Sequence, residues 1–510
     1  MTMTHPGLPD LWLWFVVALM LLAVIWVLVR IPAKSSEQGF ILIERIPVLG
    51  QLARLFSASP WPLVIFKFIS VALFLIVIAA GLWGTPIPER NLATTLTWTV
   101  WWAGLIITVF FLGSAWCAVC PWDTIASWLV KHRLWRRADE ASGLGLKVPK
   151  AWRNVWPALV MFIGLTWLEL GVGVTTNPYA TAVLSLVMIV MATAYMAVFE
   201  GKAFCKHVCP VGRTVGFYGQ LSMVELRPRH QQTCTDCKTL ECYHGTDEVE
   251  PCPTHLVMGS LTQSTYCTSC SACTMSCPHD NVGWRLRSPA AEAIQHARPH
   301  WDEAWFMLGL LGLTTFHGIT MLEFWEQGLS SFGRFIGDSG QLIWSFSAGM
   351  LVVFFVPILV YSLFIKLTQI LIPVEIGFKQ LFAKLAFISL PLAFVYHIAH
   401  NLNHLIRESR GFTEVLLNPL GRGSLPLSSH ELHMRHMNPL ISEQLLYGLQ
   451  AGLMIFGFWL ALQILQRRTM EALANEASWR AHYILPGITF ITGITAYNLW
   501  LLVQPMIMRM

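Results

Sequence analysis

"CTSCSACTMSCP", residues 267–278, decides how this chain is read. Its four cysteines stand two, two and three residues apart and a proline follows the last, the bacterial iron–sulfur run C-x2-C-x2-C-x3-C-P. The surroundings do not suit a water-soluble carrier. The 510-residue chain is 55% hydrophobic, holds 23 tryptophans and is only 12% charged, about half the usual charged share. A mainly α, polytopic membrane protein is expected, with the cysteine run on a polar insert.

Ahead of the run lie "CTDCKTLEC" (Cys234, Cys237, Cys242) and then Cys252 in "PCP". In two-cluster ferredoxins the fourth cysteine of each run ligates the other cluster. By that rule Cys252, Cys267, Cys270 and Cys273 hold one [4Fe–4S] cluster, and Cys234, Cys237, Cys242 and Cys277 hold a second. The first run departs from the pattern: it reads C-x2-C-x4-C-x9-C-P, with extra residues around "YHGTDEVEP". Cys242 and Cys252 are therefore the less constrained pair. Zinc knuckles are the alternative, but they carry no trailing C-P.

All twelve cysteines fall between Cys117 and Cys277 in short-spaced groups. That reads as metal ligation in a reducing compartment, not as a disulfide framework. Four of them lie outside the insert: Cys117 and Cys120 in "WCAVCPWD", and Cys205 and Cys209 in "FCKHVCPVG". Both motifs end in C-P and both follow an apolar run, a weak internal repeat. Their four thiolates suit copper(I), zinc or a further iron–sulfur cluster, or two redox dithiols. Buried thiols at helix ends are the plain alternative.

Ten apolar runs reach the length a bilayer requires: 11–29, 61–82, 96–116, 155–172, 180–199, 303–322, 342–365, 381–400, 443–465 and 483–504. Three regions follow: a transmembrane part over 1–200 that contains the C-x2-C-P motif, a cytoplasmic region over 201–300 that holds the C-x3-C-P motif and then the ferredoxin-like insert, and a second transmembrane part over 301–510. The first run has no preceding Lys or Arg and reads as an uncleaved anchor. Of 34 Lys and Arg, 26 fall on the side that carries the insert and seven on the other. The positive-inside rule puts the insert in the cytoplasm, at a bacterial inner membrane.

With these motifs in place, the chain resembles the NosR/NapH type of membrane polyferredoxin over about residues 60–290. The resemblance implies electron transfer between the quinone pool or cytoplasm and a periplasmic acceptor, through the eight insert cysteines and Cys117, Cys120, Cys205 and Cys209. It implies an electron-transfer subunit of an oxidoreductase system with a periplasmic or membrane redox partner. The first membrane-edge motif is C-x2-C-P where that family has C-x3-C-P, and residues 303–510 add about five runs that a short NapH-like chain does not need. The CcoG type, linked to copper reduction, is similar in its motifs and keeps a copper-handling reading open; a redox sensor is a third reading.

The added runs contain intramembrane histidines, functional candidates by default. His317 and His397 stand at similar depth on two helices, with His400 and His404 on the same helix face as His397 and with His404 in the headgroup region; the haem candidates are His317 with His397 or His400. They could ligate haem b, bond neighbouring helices, or accompany quinone. "SSHELHMRHMNP" offers His430, His433, Met434, His436 and Met437 to copper, or is a polar surface helix. Arg133, Arg136 and Arg137 read as an anchor for anionic membrane lipid. No phosphate loop or Ser–His–acid set is present, and nothing calls for nucleic acid. The charge asymmetry predicts that a thiol reagent unable to cross membranes leaves Cys234 unlabelled in intact cells; labelling from outside would reverse the topology.

Overall fold

The computed structural model describes residues 4–31, 39–132, 143–473 and 478–507. Its framework is a bundle of apolar helices: α1 (Asp10–Val29), α2 (Trp61–Trp83), α3 (Leu92–Leu112), α4 (Pro121–Lys131), α5 (Trp156–Gly171), α6 (Pro178–Val198), α7 (Pro210–Tyr218), α8 (Trp301–Ile319), α9 (Glu323–Ile336), α10 (Ile343–Leu371), α11 (Ser389–Glu408), α12 (Glu443–Leu473) and α13 (Leu485–Val503). Among the described residues eight helices are long and apolar enough to cross a membrane. The ten-span expectation is corrected at two places. α5 has 16 residues, about 24 Å at 1.5 Å per residue, short of a hydrocarbon core of about 30 Å. The run at 303–322 breaks after Ile319, and α9 leaves α8 at 93°, so this pair makes at most one broken span.

Local signals set the helix ends. Asn91 caps α3 by accepting from the Ala93 amide at 2.8 Å, while its own amide donates to the carbonyls of Ala80 and Thr85 at 2.9 and 2.8 Å. One side chain thus satisfies the end of α2 and the start of α3. Gly113 (φ +58°) ends α3, and a Cβ there would stand 3.3 Å from the Val224 carbonyl oxygen. Glycine is needed for that left-handed turn. Within α3, Thr95–Trp101 form a wide π turn, a feature that recurs at functional sites.

Burial sorts the bundle into centre and rim. The segment holding α11 is 94% buried against 17% for α1 and 28% for α2, so α11 is central and α1 and α2 present apolar faces outward. α8 is buried along nearly its whole length and packs on α10 and α11. α11 packs on α12 so closely that a Cβ at Gly457 would meet Val395 at 2.4 Å, the small-residue contact expected where helices associate in lipid. α1 packs against α12 and α13, joining the second half of the bundle, and a short ladder pairs Thr4–His5 with Met506–Ile507.

The insert expected over 201–300 divides. α7 is wholly buried within the bundle. The cysteine-bearing loops lie between two antiparallel strands, β2 (Val224–Pro228) and β3 (Val282–Leu286), with β1 (Ile41–Leu42) on the outer edge of β3. A buried charge network fastens this unit down: Arg287 and Arg285 donate to Glu225 at 2.7 Å each, and Arg227 and Arg287 both reach Glu292. Burial pushes the Glu292 carboxyl up, but Arg287 and Arg227 outweigh it and hold it below the usual carboxylate range. Arg468 of α12 donates to the carbonyls of Ala293 and Glu292 at 2.8 and 3.2 Å. Arg287→Ala should therefore lower stability by roughly 3–5 kcal/mol, the usual loss when one partner leaves a buried ion pair. A melting temperature in detergent equal to the wild type would show that the network does not hold the insert.

Candidate metal centres

The insert loops wind tightly. Leu240, His255, Ser269, Ser271 and Asp280 all take positive φ, uncommon for residues with a side chain and concentrated here beside the cysteines. The winding aims backbone N–H groups at sulfur. The amides of Leu256, Ser269 and Asn281 donate to Cys252, Cys267 and Cys277 at 3.3, 3.4 and 3.4 Å, and the Asn281 side chain donates to Cys234 at 3.3 Å. Hydrogen bonds to sulfur are a standard means of tuning cluster potential.

The cysteines gather as two groups. Cys273 neighbours Cys267, Cys270 and Cys252. Cys242 neighbours Cys234, Cys277 and Cys237, and those four line a small cavity of about 20 Å³. The two groups are close enough to interact electrostatically, Cys242 with Cys273.

The membrane-edge cysteines form a third group. Gly113 turns the chain out of α3 and Ser114 meets Ser269 of the insert, Oγ to Oγ at 2.9 Å. Cys120 and Cys209 each stand immediately before a proline that opens a helix, α4 and α7. The Gly212 amide donates to Cys209 Sγ at 3.3 Å, the side-chain cap that a helix N-terminus offers a thiolate. Cys120 neighbours Cys209 and Cys117, and Cys205 neighbours Cys209 and Cys120. The Lys202 ammonium meets Asp123 at 2.6 Å between the two motifs. Burial pulls the Lys202 pKa down, but Asp123 and then Cys205 and Cys270 outweigh it and raise it, so it stays charged. Lys202 is therefore close enough to interact with both a membrane-edge cysteine and an insert cysteine.

Without metal, burial pushes these thiols up, Cys267 to about 11 and Cys117 to about 12, with Cys209 adding to the latter. Loading metal must then release protons. Among the described residues no three His, Cys, Asp or Glu side chains close on a single ion. Four-cysteine groups with N–H donors aimed at sulfur fit a [4Fe–4S] cluster.

Sequence reasoning missed the company these thiols keep. Trp101 contacts Trp116 and Trp122 with ring centroids 5.5 and 5.9 Å apart, and all three indole N–H groups are buried with no protein acceptor. Arg213 donates to the carbonyls of Cys205 and Thr265, both at 3.0 Å, bridging edge and insert. The signals were Asp123 in "CPWD" and Arg213 in "CPVGR".

The histidines separate. His317, His400 and His404 line one cavity at the end of the bundle opposite the cysteines. His397 points elsewhere, its Nδ1 3.4 Å from the Tyr218 hydroxyl and its ring beside Trp102. Residues 429–437 form a surface helix with a Ser428–Glu431 capping box and exposed His430, His433 and Met434. The side chains of His436 and Met437, and all of Arg133, Arg136 and Arg137, fall outside the described residues.

A family model described as a 4Fe-4S binding domain matches residues 94–138 and 181–222. These segments carry the membrane-edge cysteines and not the insert. The chain is 29% identical over 118 residues to the YccM protein of Escherichia coli (strain K12), named for electron transport, covering 22% of this chain and 30% of that one. It is 27% identical over 154 residues to the methylamine utilization ferredoxin-type protein MauN of Paracoccus denitrificans (strain Pd 1222), covering 26% of this chain and 50% of that one. The chain thus spans half or less of the relatives' lengths. No solved structure matches it. An iron–sulfur, electron-transport membrane protein is the common ground of these findings and the fold.

The grouping predicts that Cys242→Ser removes about four irons and one set of paramagnetic signals while the Cys252 group keeps its own. Loss of both sets, or none, would mean that Cys242 and Cys252 exchange places or hold no cluster.

Proposed function

We propose that this chain is a membrane electron conduit with three [4Fe–4S] sites in series, two in the insert and one at the membrane edge. The observation that carries the reading is the set of three four-cysteine groups, with Cys242 near enough to Cys273, and Lys202 near enough to Cys205 and Cys270, to interact electrostatically. The family model supports the third site, because its matched segments contain Cys117, Cys120, Cys205 and Cys209.

Each bound cluster supplies one-electron storage. The chain supplies the rest. Loops shield the thiolates and direct N–H donors at them, Lys202 offsets the negative charge that four thiolates bring, and the tryptophans around Cys117 and Cys120 exclude water. The far end of the path lies among α3, α8 and α11, where a lipid-borne carrier or a partner protein exchanges electrons. The distribution of Lys and Arg supports an inner-membrane setting with the insert in the cytoplasm, and the NosR/NapH resemblance supports a periplasmic or membrane redox partner. The chain is then an electron-transfer subunit of an oxidoreductase system.

Cys120→Ser and Cys209→Ser should each lower total iron from about twelve to about eight per chain, and the double variant should lose no more than either. Additive losses, or iron near eight in the unmodified chain, would remove the third site and leave the two in the insert.

A further inference from the structure

We propose that the space between the membrane-edge cysteines and the far end of the bundle binds a lipid-soluble quinone, with the His317–Glu169 pair exchanging its protons. The proposal rests on the electron-conduit reading and on the quinone expected from the sequence, and adds a site and a proton route to them.

Two adjoining cavities carry the inference. The larger, about 160 Å³, includes His317, His400, His404, Glu169 and Glu408 in its wall. The smaller, about 70 Å³, is an apolar slot bounded by Trp101, Trp122, Phe162, Met188 and Pro210. Trp98, Trp102 and Glu169 belong to both walls, so the slot opens into the polar cavity. One end of this space abuts Pro210 and Trp122, next to Cys209 and near Cys120 in the chain. The other end is titratable. The π turn of α3 supplies the tryptophans where the two meet.

A polar, proton-accepting ring with an apolar tail fits this space. His317 Nε2 lies 3.4 Å from Glu169 Oε2, and His404 Nδ1 lies 2.7 Å from Glu408 Oε1. Each pair can hold a proton between imidazole and carboxylate and pass it to a bound oxygen, the geometry general acid–base transfer needs. Reduction of the quinone takes two electrons and two protons: both carbonyl oxygens become hydroxyls and no other bond breaks. Two reduced [4Fe–4S] clusters give one electron each and are oxidised. The two His–Glu pairs give one proton each and are reloaded from water at the cavity mouth. The reverse reaction balances equally. Haem fits less well. It needs two imidazoles facing one iron, whereas His317 turns to Glu169, His404 to Glu408 and His397 to Tyr218.

The test uses cluster-loaded protein in lipid nanodiscs. A photoactivatable short-chain quinone should label the segments 94–102 or 165–176, and unmodified quinone should compete. In a second arm, protein reduced with dithionite is mixed with short-chain ubiquinone or menaquinone analogues while cluster absorbance is followed. His317→Leu and Glu169→Gln should each slow reoxidation about a hundredfold with iron content and paramagnetic signals unchanged. Label confined to other segments, or wild-type rates in both variants, would overturn the site. So would a b-type haem spectrum that His317→Leu abolishes. Iron-free protein would sink the conduit reading instead, and the labelling arm would still decide on the quinone.

Discussion

Everything chemical in this molecule depends on one buried ion pair. Lys202 and Asp123 meet where two helices end and two begin, with side chains only 12% and 5% exposed. A buried charge pair contributes little net stability, because desolvation offsets the attraction, but losing one partner costs roughly 3–5 kcal/mol. Its value here is register. Asp123 stands in the first turn of α4, beside Cys120, and Lys202 precedes Cys205. Pairing them sets two motifs distant in sequence at one height, and the remaining positive charge of Lys202 faces the insert through Cys270. Without that pairing the two C-P turns would be separate helix starts.

Much of this was legible in the sequence, since the spacing of cysteines and prolines encodes a local geometry. A C-x2-C turn brings two sulfurs together whatever the surroundings, so the closely spaced cysteine pairs could be written down from positions alone, whereas Cys242 and Cys252 stand outside that spacing. The apolar runs likewise gave the helices, because bilayer-length hydrophobic segments have few other folds. The errors have physical causes. Hydropathy cannot see the break after Ile319, where α9 leaves with an amphipathic sequence of its own. It reads α7 as part of a polar loop because "PVGRTVGFY" is short and contains Arg213, although that arginine is satisfied by carbonyls inside the bundle. The helical period placed His397, His400 and His404 on one face, yet a 7-residue spread along α11 lets His397 meet Tyr218 while the other two reach the cavity. Glu169 could not be singled out, since its partner His317 lies far away in sequence.

The composition also makes sense in retrospect. Twenty-three tryptophans are many for 510 residues. Several surround the membrane-edge cysteines and the slot beyond them, where large rigid rings fill space at low entropic cost and keep water from charged sulfur.

The fastening of the insert has a consequence for how the protein is made. Arg468, near the end of α12, closes on the carbonyls of Ala293 and Glu292, while Glu292 holds the arginines of β2 and β3. The chain is synthesised from its N-terminus and domains fold as they emerge, so the eight insert cysteines exist long before the residue that locks their base. During that interval the loops are open on one side. The half-buried thiols are most accessible in that interval, before α12 is in place. Biogenesis and architecture meet in one late arginine.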